Sequence, residues 1–262
     1  MLWFSTRLFA PAIFLDTREP ALLQTFLSSK TGVFVEVGAN DPIVGSQTYA
    51  LEQRGWSGLL VEPLREYADQ LRSARTAKVV CGAAGSPTEA GTLSPLIVAG
   101  TLSTLDSLRQ PKIEANEIRL VPVQTLDAML RDARVSDIDF LSIDVEGHEL
   151  EVLRGFSIER YRPPFILLED QVLDRSYHNY LTARGYVLVR RTGLNNWYLT
   201  DPSRLRVSVF GRLQLFRKLW LGAALRRWRY NLKHRASAKA IVALFSDKLR
   251  LSRTRARQVQ ET

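Results

Sequence analysis

The chain has 262 residues, 45% of them hydrophobic, with 36 Lys+Arg against 27 Asp+Glu and a net charge of +9. Such a length suits one α/β domain of about 200 residues with an appendage, and the composition excludes bulk disorder. The single cysteine, Cys81, excludes an internal disulfide, and no CxxC or Cys/His cluster suggests zinc, so a reducing, cytoplasmic setting is expected.

Residues 1–30 read as a helical lead-in. Their apolar residues are interrupted by Arg7, Pro11 and Asp16, a poor match to a signal peptide. No stretch of the chain reaches the roughly 18 uninterrupted apolar residues of a membrane-spanning helix. From residue 31 to 201, short β-branched runs alternate with amphipathic stretches. The runs are Val33–Val37, Gly58–Glu62, Lys78–Cys81, Phe140–Asp144, Phe165–Glu169, Tyr186–Arg190 and Asn196–Leu199. The first five are nearly continuous in apolar residues, the pattern of parallel strands buried on both faces. Between them Gln47–Arg54, Arg65–Ala74, Leu126–Arg131, Glu149–Gly155 and Tyr177–Arg184 have helical length and spacing. This alternation predicts an α/β fold: a Rossmann-like, mostly parallel seven-stranded sheet with helices on both faces. The last two strands, around a turn at Thr192–Asn195, form an antiparallel edge hairpin. Residues 85–117 hold Pro87, Gly91, Pro95, Gly100 and Pro111 among many Ser and Thr, and read as a long loop or lid.

At residue 202 the composition changes. From Ser203 onward there are 16 Lys+Arg and 2 Asp+Glu, against 20 and 25 in the rest, so a body of charge −5 carries a tail of +14. Val209, Phe210, Leu213, Phe216, Leu219, Trp220, Ala224, Trp228 and Leu232 recur at helical spacing among arginines, which predicts a basic amphipathic helix; a second is expected over Ala238–Leu251. The asymmetry suggests an anionic membrane surface as partner, nucleic acid being the lesser alternative, or else a plain solvated face.

Four strand ends carry the chemistry. The first strand runs through Glu36 into the small-residue turn Gly38-Ala39-Asn40-Asp41, over which a ligand can sit because glycine admits close approach. A helix is expected to start near Ser46, a suitable N-cap. Neither GxGxxG nor a P-loop is present. Glu36, with one residue between it and Gly38, suits a ligand with an amino group, such as the ammonium of a methionine. The second strand ends in Glu62, placed to accept both hydrogen bonds of a ribose diol, and the two sites together point to an adenosine-containing cofactor. The fourth predicted strand leads into Asp144, Glu146, His148 and Glu149. Glu149 reads chiefly as a structural acid at a helix N-terminus. His148 is either a general base or an ordinary polar residue. The next strand ends in Glu169 and Asp170. With Asp144 these acids would face one crevice, where they could hold a hard cation such as Mg²⁺ or orient acceptor hydroxyls; Glu169 and Asp170 are read as substrate-binding, with no metal.

Taken together, VFVEVGAND, SQTYALEQRGWSGLLVEP, VQTLDAML, DFLSIDVEGHELEVLRGF and ILLED resemble the FkbM family of S-adenosylmethionine-dependent methyltransferases over about Thr31 to Thr200. The resemblance implies a class I methyltransferase fold, S-adenosyl-L-methionine as cofactor, and O-methylation of a sugar, glycan or natural-product hydroxyl. It places cofactor contacts at Glu36, Gly38, Asn40, Glu62 and Asp144; Asp41 and Cys81 join that set. Pro42 departs from the family, which often has glycine there. Proline removes one amide donor, so cofactor binding would either fall to neighbouring amides or be weaker. Asp144 or His148 is expected to take the acceptor proton, with Glu146 and Glu169 shaping the site. Two competing readings are a catalytically degenerate methyltransferase-fold binding module and an RNA methyltransferase using the basic tail. No RNA-recognition motif supports the latter.

Overall fold

The computed structural model describes residues 19–29, 31–98, 103–105, 117–171, 175–205, 207–222, 226 and 228. In chain order, α1 (Glu19–Phe26) leads to β1 (Val33–Val37), α2 (Tyr49–Glu52), β2 (Ser57–Glu62), α3 (Arg65–Ala74) and β3 (Lys78–Cys81). Three further strands follow: β4 (Ala83–Ala84), β5 (Leu93–Val98) and β6 (Glu117–Gln124). Next come α4 (Leu126–Asp132), β7 (Phe140–Ile143), α5 (Glu149–Arg154), α6 (Ile158–Tyr161), β8 (Phe165–Glu169), α7 (Ser176–Thr182), β9 (Val187–Thr192), β10 (Asn195–Leu199) and α8 (Val209–Phe216). The predicted second tail helix lies outside the described residues.

Seven strands form one sheet in the order β3-β2-β1-β7-β8-β10-β9. The first five are mutually parallel, while β10 runs antiparallel to both neighbours. The chain winds outward from β1 to β3, then returns to β7 on the other side of β1. This is the doubly wound, Rossmann-like reversal that opens a crevice beyond the carboxyl ends of β1 and β7.

Strand alternation divides the core. Val35, Val37, Leu59, Val61, Leu141, Ile143, Ile166 and Leu168 face one side, under residues of α4, α5, α6 and α7. Phe34, Leu60, Phe140, Phe165, Leu167 and Trp197 face the other, under Leu23 of α1, Leu51 of α2 and Leu71 of α3. Phe140 stacks on Phe165 at 4.9 Å between centroids, and Phe165 lies 5.1 Å from Trp197. Each fully buried side chain of this size contributes about 1.5–3 kcal/mol. Charge also pins α1: buried Glu19 accepts hydrogen bonds from Thr192 and, at 2.6 Å, from Asn195, the residues flanking the β9–β10 turn.

The stretch read as a long loop is partly strand. β5 pairs antiparallel with β6 from Leu93↔Pro122 to Val98↔Glu117, and β4 pairs parallel with β6. This small sheet buries Ala83, Leu96, Val121 and Val123 with Leu64. It therefore fixes residues 83–98 beside the main sheet; residues 99–102 and 106–116 lie outside the described set.

Candidate functional site

The turn after β1 is built around Gly38. It has φ +84°, and any β-carbon there would overlap the carbonyl oxygen of Asp144, so only glycine fits. Asn40 follows at φ +48°, a left-handed conformation that asparagine tolerates better than most residues. The Gly38 and Ala39 amides both donate to the Val61 carbonyl, at 2.9 and 3.1 Å, and the Asn40 amide donates to Glu62 Oε2 at 2.9 Å. These amides are already used inside the protein. A ligand over this turn would meet the side chains of Asn40 and Glu62 rather than these three amides.

Glu62, at the end of β2, also accepts from the Leu64 amide at 2.8 Å. Burial pushes its carboxyl up to about 7 despite these two N–H donors. Each oxygen keeps acceptor capacity beyond the one amide it takes. Beside it, Asn40 Oδ1 is buried with no hydrogen-bond partner among the described residues. An underused acceptor next to a desolvated carboxylate fits a ligand rich in O–H and N–H donors. Cys81 lies opposite Glu62 in the β2–β3 register, and burial raises its thiol.

Glu36 faces the α1–α3 side of the sheet and accepts three hydrogen bonds from the loop that follows β1. It accepts from the Gln47 amide at 2.8 Å, from Ser46 Oγ at 3.0 Å and from Thr48 Oγ1. Burial raises its carboxyl, opposed by these donors and by nearby Arg75. It braces the loop leaving β1. Asp41 Oδ1 accepts from the Ile43 and Val44 amides at 2.8 and 2.7 Å, which hold its carboxyl below the usual range and close a tight turn at Pro42. Ser46 Oγ accepts from the Tyr49 amide at 3.1 Å, although α2 itself begins one residue after Thr48.

The 144–149 loop makes the opposite wall. The buried Glu149 carboxylate accepts from Val145 and Gly147 amides, at 3.3 and 2.9 Å, and from Tyr177 Oη at 2.9 Å. It thus orders the loop. Glu146 sits at φ +53°, and its carbonyl accepts from Thr104 Oγ1 at 2.6 Å. Asp144 is exposed. Carboxylate oxygens of Asp144, Glu146 and Glu169 lie within 4.8 Å of one another. That spacing suits one hard cation or the hydroxyls of a polyol.

The cluster differs in one member from the expected set. Asp170 is 2% exposed; its carboxylate accepts from Asn196 Nδ2 at 2.8 Å, and Arg191 bridges Asn196 Oδ1 and the Asp170 carbonyl. Adjacent residues at a strand end point to opposite sides, so Glu169 joins the acidic cluster while Asp170 enters this buried network and Glu146 takes the third place. One partner is absent from the sequence reading altogether. His148 Nε2 lies 3.3 Å from Glu89 Oε2, and Ser86 holds the same oxygen through its amide at 2.9 Å and its hydroxyl at 2.7 Å. Both come from the stretch read as loop, where an acid among serines and threonines carries no recognisable spacing. An open cleft of about 470 Å³ lies nearby between Asp41–Pro42 and Glu66, Asp69 and Ser73 of α3, but it does not reach the acidic cluster.

The profile of the family described as the Methyltransferase FkbM domain matches residues 36–188. Among solved structures, a methyltransferase FkbM from Methylobacillus flagellatus KT is 16% identical with a TM-score of 0.44; the match covers 65% of this chain but only 44% of that one. A precorrin-6y methyltransferase from Geobacter metallireducens GS-15 is 16% identical, TM-score 0.40, with 72% and 90% coverage. The N-terminal domain of human METTL16 in complex with SAH is 14% identical, TM-score 0.34, with 70% and 67% coverage. No curated protein matches the chain.

Proposed function

The chain belongs to the FkbM methyltransferase domain family, and from that premise we propose that it transfers a methyl group from S-adenosylmethionine to a hydroxyl of a sugar, glycan or natural product. The observation that carries this reading is the pair formed by Glu62 and Asn40 at the carboxyl ends of β2 and β1. A carboxylate held by two amides, and beside it a buried acceptor with no partner among the described residues, support a ligand rich in hydroxyl and amino donors at these strand ends. When bound, the cofactor supplies an electrophilic methyl carbon. The residues of the chain align the partners and accept a proton.

In this reading Glu62 takes the ribose hydroxyls and Asn40 Oδ1 takes a further donor. Across the crevice Glu146 and Glu169 orient the acceptor, and exposed Asp144 takes the proton of the attacking hydroxyl. His148, fixed by Glu89, positions the same loop.

The pH response tests the donor site. Two diol hydroxyls donate more strongly to an ionised carboxylate than to its protonated form, which turns one oxygen into a donor, so binding favours the deprotonated form of a group that titrates near 7. Affinity for S-adenosylmethionine is expected to rise as pH rises through 7 and to fall toward pH 6 by up to about tenfold per unit. Calorimetry at pH 6 and 8 checks this, together with Glu62→Gln. The variant should lose the pH dependence and bind about tenfold or more weaker at pH 8, the range for losing a charged hydrogen-bond partner. Equal affinities at both pH values, in a folded wild type, would remove Glu62 from the ribose site.

A further inference from the structure

The family match ends at residue 188, and α8 lies beyond it. Ser208 Oγ caps the helix by accepting from the Gly211 amide at 3.1 Å, and one π turn, Arg217–Leu221, continues it. Only Leu219 is buried on this segment. Phe210 is 67% exposed, Leu213 61%, Trp220 51% and Trp228 59%, with Phe216 and Leu221 also in solvent. Phe216 and Trp220 stack at 5.9 Å, and the Arg175 guanidinium sits 3.9 Å from the Trp220 ring centroid. Elsewhere on the described surface, large exposed apolar side chains stand singly or in pairs. With Leu219 its one buried side chain among the described residues, a helix that turns so many apolar groups out presents a broad exposed apolar face.

The charge around that face says what covers it. No Asp or Glu occurs between Asp201 and Asp247. Exposed Arg212, Arg217 and Lys218 flank the apolar side chains. Partial desolvation, with Arg191, Arg226 and Arg217 nearby, pushes the Lys218 ammonium below its ordinary range. Cations therefore converge where the segment meets the body. Docking against a second copy would bring two such cationic faces together, which like-charge repulsion opposes. Nucleic acid would neutralise the arginines but would leave Phe210, Leu213 and Leu221 in water. A surface that is anionic outside and apolar beneath satisfies both sets at once.

We propose that the α8 face docks on an anionic lipid bilayer, with Phe210, Leu213, Phe216 and Trp220 inserted at the headgroup boundary and the surrounding Arg and Lys on lipid phosphates. No described helix is long and apolar enough to cross a membrane, so the segment lies on the surface rather than through it. The inference is independent of the methyl acceptor.

The test is sedimentation of the full chain with phosphatidylcholine vesicles, with and without phosphatidylglycerol, at low and high salt. The protein is expected to pellet with the anionic vesicles at low salt, to stay in solution with the neutral ones, and to be released as salt screens the charges. Tryptophan fluorescence should shift to the blue on binding. The double variant Phe210→Ser/Leu213→Ser changes only exposed side chains, so its melting temperature should match wild type while its vesicle partitioning falls by about tenfold or more. Four results would overturn the proposal. They are no binding to anionic vesicles at low salt, equal binding to neutral ones, wild-type partitioning by the double variant, or a variant-sensitive self-association or RNA binding without vesicle binding.

Discussion

Arg75→Met is expected to destabilise the protein by about 3–5 kcal/mol, the usual cost of breaking a buried ion pair from one side. Arg75 ends α3 with its side chain fully buried against Glu52 of α2. Its guanidinium also donates to Thr48 Oγ1 at 2.9 Å, to the Pro42 carbonyl at 3.1 Å and to Ser46 Oγ at 3.2 Å. Thr48 in turn donates to Glu36. One cation thus holds the whole loop between β1 and α2, including the turn at Pro42. Methionine fills the volume but leaves Glu52 without its countercharge and removes the donor to three loop acceptors, the Pro42 carbonyl and the Ser46 and Thr48 hydroxyls. Thermal unfolding should shift down by about 10 °C, at roughly 2–4 °C per kcal/mol for a chain of this size. The double variant Arg75→Met/Glu52→Gln should recover part of the loss, since it removes the stranded charge as well. A shift under about 2 °C for the single variant would mean that water reaches Glu52 and that the network does not brace the loop.

Asp144→Asn is expected to lower turnover by about a hundredfold or more, the range for losing a general base, while leaving S-adenosylmethionine affinity near wild type. Asp144 is exposed and lies past the end of β7, so the amide should not disturb the core; its backbone amide still donates to the Val37 carbonyl at 3.0 Å. The measurement is single-turnover transfer of labelled methyl to the acceptor, with melting temperature as control. Full activity in the folded variant would take Asp144 out of the mechanism. His148→Ala separates positioning from proton transfer: a positioning role predicts a loss smaller than that of Asp144→Asn, whereas a base at His148 predicts one as large.

The strands that carry these residues were legible because β1, β2, β7 and β8 are continuous apolar runs ending in acids, a local pattern that needs no tertiary context. Glu62 and Asp144 follow from it directly. The β4–β5–β6 sheet was not legible. Pro95 interrupts one strand and Pro122 the other, and prolines among serines read as loop; the alternation of Val121 and Val123 was the signal that would have found β6. Arg75–Glu52 and His148–Glu89 join residues whose separation follows from how helices and sheets pack, which spacing does not encode. The exchange of Asp170 for Glu146 has the same origin. Two adjacent acids look equivalent in a string, and the strand pleat sends them to opposite sides.

The Asp144 carbonyl packs against Gly38 so closely that no β-carbon fits between them. The tips of β1 and β7 are thus in direct contact, and a shift of one is expected to press on the other. An acceptor that moves Asp144 must displace the Gly38–Asn40 turn, and a donor that orders this turn must set the height of Asp144. Donor and acceptor affinities are then expected to be linked, each altering the other by the same factor. In steady-state kinetics such linkage makes the KM for one substrate depend on the concentration of the other, a dependence absent from two independent sites.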